Sequence, residues 1–334
     1  MEQAEILQVQ QLYKEPLLAF PHVVGVGTGY KVTQGQLTDR VCIVALVKNK
    51  VPKSNLSPKE IIPRELDGVI TDVFEVGEIR AYQNPREMWR PAPAGVSIGH
   101  YRITAGTLGY VVRDRQTGIR LILSNNHVLA NSNDATLGDP ILQPGPADGG
   151  KVKDHTIAEL VRYVPIEYNQ TDSSCKYADL VTDAANKIAE LIGSKHRLSA
   201  RMINAQARNL VDAALARPLN DADILENILE IGAVEGVLPP QLGMQVRKYG
   251  RTTALTSGQI TIVNATVSVN YLENRVARFE EQIITTPMSQ GGDSGSLVVH
   301  AVENKAVGLL FAGSDQTTIF SPIQQVLDLL EVDL

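Results

Sequence analysis

The chain has 334 residues, enough for two or three compact units at the usual ~100–200 residues per domain. Its apolar content of 43% and charged content of 20% are ordinary for a globular protein, and a formal net charge of −6 argues against a general binder of nucleic acid or of anionic membranes. The two cysteines, Cys42 and Cys175, exclude a disulfide framework of more than one bridge.

The first 81 residues predict a small α/β domain. Apolar residues recur at helical spacing over residues 3–19. A second helix is expected over Leu56–Glu65, because Ser57-Pro58 is a favourable helix start with proline at the first position. Strands are expected at Val23–Lys31, Val41–Val47 and Val69–Val76.

The glycines of the first expected strand could suggest a dinucleotide-binding loop. Gly25, Gly27 and Gly29 form a G-x-G-x-G pattern, however, and the fingerprint of such loops is G-x-G-x-x-G followed by a helix. A strand follows here, so a glycine-bearing hairpin is the better interpretation.

Residues 82–94 contain three prolines and predict a linker, within which Trp89 is expected to pack on a neighbouring surface. From Gly95 onward, short apolar segments alternate with turn residues, which is typical of a sandwich or barrel. An amphipathic helix predicts an insertion at about 172–208, near the join of two β-rich units. The strands expected on either side are Ile98–Ile103, Thr107–Arg113, Ile119–Leu123, Thr156–Tyr163, Gly258–Val269, Val276–Ile284, Ser296–Val302 and Ala306–Ala312, followed by a closing helix at Pro322–Leu330.

The stretch Gln290–Val298, Q-G-G-D-S-G-S-L-V, places a serine in a glycine-rich loop just before an apolar strand. Acyl transfer by serine needs such a loop, because the hydroxyl must project from a tight turn beside inward-pointing backbone N–H groups. Ser294 is therefore the candidate nucleophile. The N–H groups of Gly292 and Ser294 are the candidate oxyanion donors.

A serine nucleophile also needs a histidine base and a carboxylate that orients it. His127 ends the motif Ser124-Asn125-Asn126-His127 after an apolar run, and Asp212 begins Asp212-Ala213-Ala214-Leu215. The order His, Asp, Ser is opposite to that of the α/β-hydrolases, and their G-x-S-x-G elbow fails because residue 296 is serine.

Together these motifs resemble the trypsin/chymotrypsin-like serine peptidases, which carry an (S/T)-x-x-H loop, D-x-A-L and G-D-S-G. The resemblance covers about residues 95–334, and Val246–Thr253 resembles the V-x-K-x-G-R-T-T stretch of bacterial members. It implies a mainly β fold of two six-stranded antiparallel barrels. Residues 1–81 are similar, more loosely, to the front region of bacterial proteins related to the plant narrow-leaf trypsin-like proteases.

By this resemblance, Ser294 is the nucleophile, His127 the general base and Asp212 the residue that orients it. Asp179, in Ala178-Asp179-Leu180-Val181, is an alternative for the carboxylate. Choosing Asp179 would place the long helix directly after the catalytic strand, whereas Asp212 matches D-x-A-L fully and leaves a second barrel made of strands only.

The resemblance also bears on activation and specificity. In trypsin-type zymogens the equivalent of Asp293 pairs with a newly cut terminus beginning I-V-G-G; the nearest sequence here is 96–99, V-S-I-G, so the partner of Asp293 stays open.

The implied substrate-binding residues are Met288 at the base of the primary pocket, Phe311 and Gly313 in the wall, and Thr318 near the floor. Since Met288 is not acidic, a small or medium-sized apolar residue is expected at the cleavage site rather than arginine or lysine.

The expected function is that of an intracellular serine endopeptidase without a cofactor or metal. The first residues lack a basic and apolar leader, and no run approaches ~18 apolar residues, so a bacterial cytoplasmic location away from the membrane is expected. The expected partners are protein or peptide substrates, and the front domain is a candidate for regulation or self-association. The alternative is a catalytically silent peptidase fold that binds peptides or partner proteins.

Overall fold

A computed structural model describes residues 3–33, 36–77, 84–173, 175–271 and 275–334. The chain divides into two compact units, Met1–Gln83 and Asn84–Leu334. No helix among the described residues is long and apolar enough to cross a membrane. Cys42, which is buried, and Cys175, which is exposed, are free thiols.

The described residues of the front unit form one α-helix on a four-stranded sheet. Its elements are α1 (Gln3–Leu18), β1 (Val23–Thr33), β2 (Gln36–Val47), β3 (Glu65–Leu66) and β4 (Val69–Glu75). The strand order is β1-β2-β4-β3, with β2 and β4 parallel and the other pairs antiparallel. Apolar side chains of the helix pack on the sheet, and Ile6, Leu17, Ile43 and Val69 form the buried core.

The helix expected at Leu56–Glu65 does not form. The structure has a short 3-10 turn at Lys53–Asn55, then a turn over residues 58–60 that leads into β3. Pro63 has no N–H for a helical ladder. Ile62 packs against the core of the front unit, whereas its neighbour Ile61 is 37% exposed. The helix prediction is therefore wrong.

The second unit contains all remaining elements. Its strands are β5 (Ala92–Ala94), β6 (Ser97–His100), β7 (Gly106–Thr107), β8 (Tyr110–Asp114), β9 (Arg120–Ser124), β10 (Pro140–Leu142), β11 (Thr156–Tyr163), β12 (Gln170–Asp172), β13 (Arg201–Ile203), β14 (Ala214–Pro218), β15 (Ile224–Ile228), β16 (Gln245–Gly250), β17 (Ala254–Tyr271), β18 (Arg275–Thr285), β19 (Leu297–His300), β20 (Ala306–Gly313), β21 (Thr318–Pro322) and β22 (Val332–Asp333). Its helices are α2 (Asn126–Leu129), α3 (Val152–His155), α4 (Lys176–Leu191) and α5 (Ile323–Leu329).

Within the described residues, all of these strands except β5 and β15 form two large antiparallel sheets that curl into barrels. The first has the order β22-β8-β9-β14-β11-β10-β6-β7, and the second has the order β13-β12-β18-β17-β16-β19-β20-β21. In the second sheet β18 also pairs with β21, which closes a ring of six strands. Each sheet thus holds six main strands and two short additional ones. The predicted mainly β fold of two barrels is confirmed.

The insertion differs in one detail from the expectation. In the chain it lies between β11 and β14, which both belong to the first barrel, and not between the barrels. Its strands β12 and β13 pair with each other, and β12 joins the second sheet through β18. Helix α4 has no buried residue, and its apolar side chains, including Leu180 and Leu191, are exposed.

The predicted linker over 82–94 is also corrected. Residues 84–94 belong to the second unit, while residues 82 and 83 lie outside the described part of the chain. Ala92 and Ala94 are fully buried, and β5 pairs in parallel with β15. Trp89 packs against the main apolar core of the second unit. Proline-rich sequence here forms an edge strand, which proline tolerates, rather than a solvated connection.

Candidate active site

His127 lies on α2, the short helix that directly follows β9. Strand β9 is buried on both sides of the barrel wall, as its apolar sequence predicts, and it ends at Ser124. The hydroxyl of Ser124 donates to the carbonyl of Thr107 at 2.8 Å, and the side-chain amide of Asn125 donates to the carbonyl of Asp212 at 2.7 Å. These hydrogen bonds of Ser124 and Asn125 hold the start of α2 against the backbone at Thr107 and Asp212.

The register of the first barrel brings Asp212 to His127. Strand β14 pairs with β9 so that Ala214 faces Ser124, which places the residues just before β14 beside those just after β9. Oδ2 of Asp212 lies 2.6 Å from Nδ1 of His127, and Oδ1 accepts the His127 backbone N–H at 3.2 Å. Asp212 is fully buried. Asp179 instead lies exposed in the first turn of α4.

His127 and Ser294 line one cleft of about 670 Å³. The Ser294 hydroxyl donates to the carbonyl of Phe311 at 3.4 Å, and among the described residues it has no hydrogen bond to His127. Thr107 of the first barrel holds the serine loop, because its N–H donates to the Ser294 carbonyl at 2.8 Å and its hydroxyl to the Gly292 carbonyl at 2.9 Å.

The loop leaves two backbone donors available beside Ser294. The N–H of Asp293 donates to the carbonyl of Gln290, and the N–H of Gly295 donates to the carbonyl of Leu310. For the N–H groups of Gly292 and Ser294, the described residues offer no hydrogen-bond acceptor.

Only glycine fits at position 292. Its φ is +96°, and a Cβ there would lie 2.4 Å from Nη1 of Arg251 and 2.5 Å from Oγ1 of Thr252. A larger residue would therefore have to shift the chain that carries one of the candidate oxyanion donors.

The partner of Asp293, which the sequence leaves open, is Lys248 on β16. Their side chains are both 0% exposed, and Nζ lies 3.3 Å from Oδ2. Burial lowers the pKa of Lys248 below its ordinary value, and the charge of Asp293 partly offsets this. The carboxylate also accepts hydrogen bonds from the Thr252 N–H (2.8 Å), the Thr253 N–H (3.1 Å), the Thr253 hydroxyl (2.6 Å) and the Gln290 N–H (3.0 Å). The chain thus supplies its own buried cation where a trypsin-type zymogen uses a new terminus.

The stretch 96–99, nearest in sequence to such a terminus, is not available for that role. Val96, Ser97 and Ile98 are 0% exposed, and Ser97–His100 forms β6 in the first barrel.

Of the four predicted pocket residues, Phe311 and Gly313 line the cleft, and the other two do not. The side chain of Met288 is 4% exposed and packs in the core of the second barrel. Its neighbour Ser289 faces the cleft instead. Thr318 is fully buried behind Ser289, with 2.7 Å between the two hydroxyl oxygens. The prediction of Met288 as the pocket base is corrected, because an apolar side chain at this point is stabilised by the barrel core.

Sequence reasoning missed Tyr271, at the end of β17. Its hydroxyl donates to Oδ2 of Asp212 at 2.7 Å, and the residue also lines the cleft. Burial, followed by the charge of Asp212, raises the pKa of Tyr271 well above its ordinary value, so the phenol stays protonated. No local motif marks this tyrosine. No group of three or more potential metal ligands occurs among the described residues.

The sequence model of peptidase family S64 matches residues 184–333 of this chain. The matched range contains Asp212 and Ser294 but not His127. The prediction of a serine peptidase, and so of a hydrolase, is confirmed by this match. No curated protein matches the chain.

Solved structures of three bacterial proteases are similar to the chain. Protease A of Thermobifida fusca has 16% identity and a TM-score of 0.45, over 73% of this chain and 98% of that one. A Nocardiopsis protease has 16% identity and a TM-score of 0.45, over 73% and 99%. A Cellulomonas bogoriensis chymotrypsin has 17% identity and a TM-score of 0.42, over 72% and 96%.

Proposed function

We propose that this protein is a serine endopeptidase in which Ser294, His127 and Asp212 form the catalytic triad. The observation that carries the proposal is the buried contact of 2.6 Å between Asp212 and His127 Nδ1, in a cleft that His127 shares with Ser294. A fully buried carboxylate at this distance favours the imidazole tautomer with the proton on Nδ1. Nε2 is then free to accept the serine proton.

The reaction follows from these roles. Ser294 Oγ attacks the peptide carbonyl carbon while its proton passes to Nε2 of His127, and Asp212 stabilises the imidazolium that forms. The carbonyl oxygen becomes an oxyanion and accepts hydrogen bonds from the N–H groups of Gly292 and Ser294. The C–N bond then breaks as the imidazolium protonates the leaving amine. Water, activated by the same histidine, hydrolyses the acyl-enzyme and restores the serine.

We propose that the primary pocket takes an uncharged side chain of small or medium size. The cleft residue next to the predicted pocket base is Ser289, a neutral residue, and the wall is built from Phe311 and Gly313. Profiling with a peptide library tests this assignment. A dominant preference for arginine, lysine or glutamate at the cleavage site would contradict it.

Covalent labelling by a fluorophosphonate probe tests the nucleophile. The wild-type protein is expected to be labelled, and Ser294→Ala is expected to lose the label along with peptidase activity, a loss on the order of 10⁶-fold in kcat for a triad serine. Ser289→Ala removes another hydroxyl of the same cleft and is expected to keep the label. A wild-type protein that takes no label and cuts no peptide would instead support a binding protein on a peptidase scaffold.

Asparagine substitutions distinguish the two candidate carboxylates. Asp212→Asn is expected to lower kcat by about 10⁴-fold, because the amide favours the wrong imidazole tautomer. Asp179→Asn, on the exposed helix α4, is expected to retain wild-type kinetics. The assignment fails if the two variants behave in the opposite way.

A further inference from the structure

Tyr271 supplies the one hydrogen bond to the Asp212 carboxylate, among the described residues, that does not come from His127. Oδ1 accepts the His127 N–H, and Oδ2 faces both His127 Nδ1 at 2.6 Å and the Tyr271 hydroxyl at 2.7 Å. Both Oδ2 distances lie in the short range of hydrogen bonds to an ionised group. Without the phenol, a fully buried carboxylate would be oriented only by the histidine that it has to orient.

Tyr271 is itself held by the second barrel and by aromatic rings that pack around it. It ends β17 in the ring that also carries the Ser294 loop. Its ring makes edge contacts with Tyr168, at 5.8 Å between centroids, and with His127, at 6.0 Å, and it lies 6.3 Å from the ring of Phe279. The phenol therefore has a fixed position relative to the barrel of the nucleophile.

His127 and Asp212 belong to the first barrel, and Ser294 belongs to the second. A hydrogen bond from Tyr271 to Asp212 joins these two halves of the site directly. Because a positional error of about 1 Å can cost ~100-fold in rate, such a link has catalytic value.

We infer that Tyr271 is a positioning residue: its hydroxyl anchors the Asp212 carboxylate to the second barrel and so directs His127 towards Ser294. The inference rests on the triad proposed above. The phenol also withdraws charge from the carboxylate, because a hydrogen bond to the charged form spreads that charge. Tyr271 therefore sets how strongly Asp212 stabilises the imidazolium.

Other charges near this network are few among the described residues. Arg102 and Asp315 line the same cleft. Arg275 lies over the ring of Tyr168 and pairs with Asp134 at 2.8 Å. Tyr271→Phe changes none of these groups, whereas Tyr168→Phe removes a hydroxyl that interacts with Arg275 and so also controls for a change at that cation. A shift of the pH profile in Tyr271→Phe alone therefore reports the contact between Tyr271 and Asp212.

The test compares Tyr271→Phe with Tyr168→Phe in the full-length protein, using a fluorogenic peptide selected from the library. Loss of one hydrogen bond to a charged group predicts a fall in kcat of about 10- to 100-fold for Tyr271→Phe, with KM changed less than about twofold. The acid limb of the pH–rate profile is expected to move to higher pH, because Asp212 then stabilises the imidazolium more strongly. Tyr168 donates to the Ser132 carbonyl at 3.0 Å and does not contact Asp212, so Tyr168→Phe is expected to change neither kcat nor the acid limb.

A second variant covers the case in which Tyr271→Phe does not fold. Replacement of Tyr271 by 3-fluorotyrosine keeps the ring and the hydroxyl but makes the phenol a stronger donor. It is expected to move the acid limb to lower pH, opposite to phenylalanine. An unmoved limb overturns the inference, and so do equal losses of kcat in Tyr271→Phe and Tyr168→Phe, which would indicate packing alone.

Ser294→Ala in the same assay separates the two proposals. If Ser294→Ala is inactive while Tyr271→Phe retains wild-type kcat and acid limb, only the positioning role fails. If Ser294→Ala remains active, the triad fails and the positioning role fails with it.

Discussion

Lys248→Met tests whether the buried cation holds the serine loop in place. Methionine keeps much of the length of the side chain but leaves the Asp293 carboxylate, 0% exposed, without its positive partner at 3.3 Å. Removal of one partner of a buried ion pair costs about 3–5 kcal/mol of stability. Four further hydrogen bonds to Asp293 remain, so we expect the lower end of that range, about 3 kcal/mol.

Urea unfolding followed by tryptophan fluorescence measures this loss. Trp89 is the one tryptophan of the sequence and packs against the core of the second unit, so its emission reports the unfolding of that unit. The fluorophosphonate labelling rate is measured alongside, and we expect it to fall because Asp293 precedes Ser294 in the loop. Lys305→Met is the matched control, since Lys305 pairs with Glu303 at 2.7 Å on the surface, and its midpoint is expected to change little.

A double-mutant cycle with Asp293→Asn decides whether the pair acts as a unit. Each single variant leaves one buried charge alone, whereas Lys248→Met/Asp293→Asn removes both charges. The double variant is therefore expected to be more stable than the sum of the single losses implies, by about 1–3 kcal/mol. Additive losses, or a loss below about 1 kcal/mol for Lys248→Met, would refute the reasoning.

Two further predictions concern a glycine and a carboxylate. Gly292→Ala is expected to lower kcat by about 10²–10³-fold, because it displaces an oxyanion donor. Gly291→Ala is expected to be tolerated, because its φ is not positive and no atom lies within 4 Å of the added Cβ. Equal effects of the two variants in the peptide assay would contradict this prediction. Hydrogen bonds from Thr117 hold the pKa of Asp114 at about 2, below its ordinary 3.8. The charged carboxylate of Asp114 therefore contributes fully to stability above its ordinary pKa, and this contribution is lost as the pH falls towards 2. Between pH 5 and pH 2, the urea midpoint is expected to fall less steeply for Asp114→Asn than for the wild-type protein.

The sequence alone was enough to predict the class of protein and the double barrel. Alternating apolar segments separated by turn residues specify strands locally, and the chemistry of serine attack requires recognisable residues in short motifs around His127, Asp212 and Ser294. The sequence also favoured Asp212 over Asp179. The structure brings Asp212 to His127, since the pairing of β14 with β9 follows from two apolar strands that must share a wall.

The tertiary structure alone decided the contacts that support these motifs. Lys248 lies 45 residues from Asp293 and Tyr271 lies 59 residues from Asp212, and no local pattern distinguishes a lysine or tyrosine that becomes buried beside a carboxylate from one that stays in solvent. The segment 84–94 and Met288 were misjudged for the same reason. Prolines and a methionine have local preferences, but whether they face solvent, a cleft or a core depends on the strands that fold against them from elsewhere in the chain.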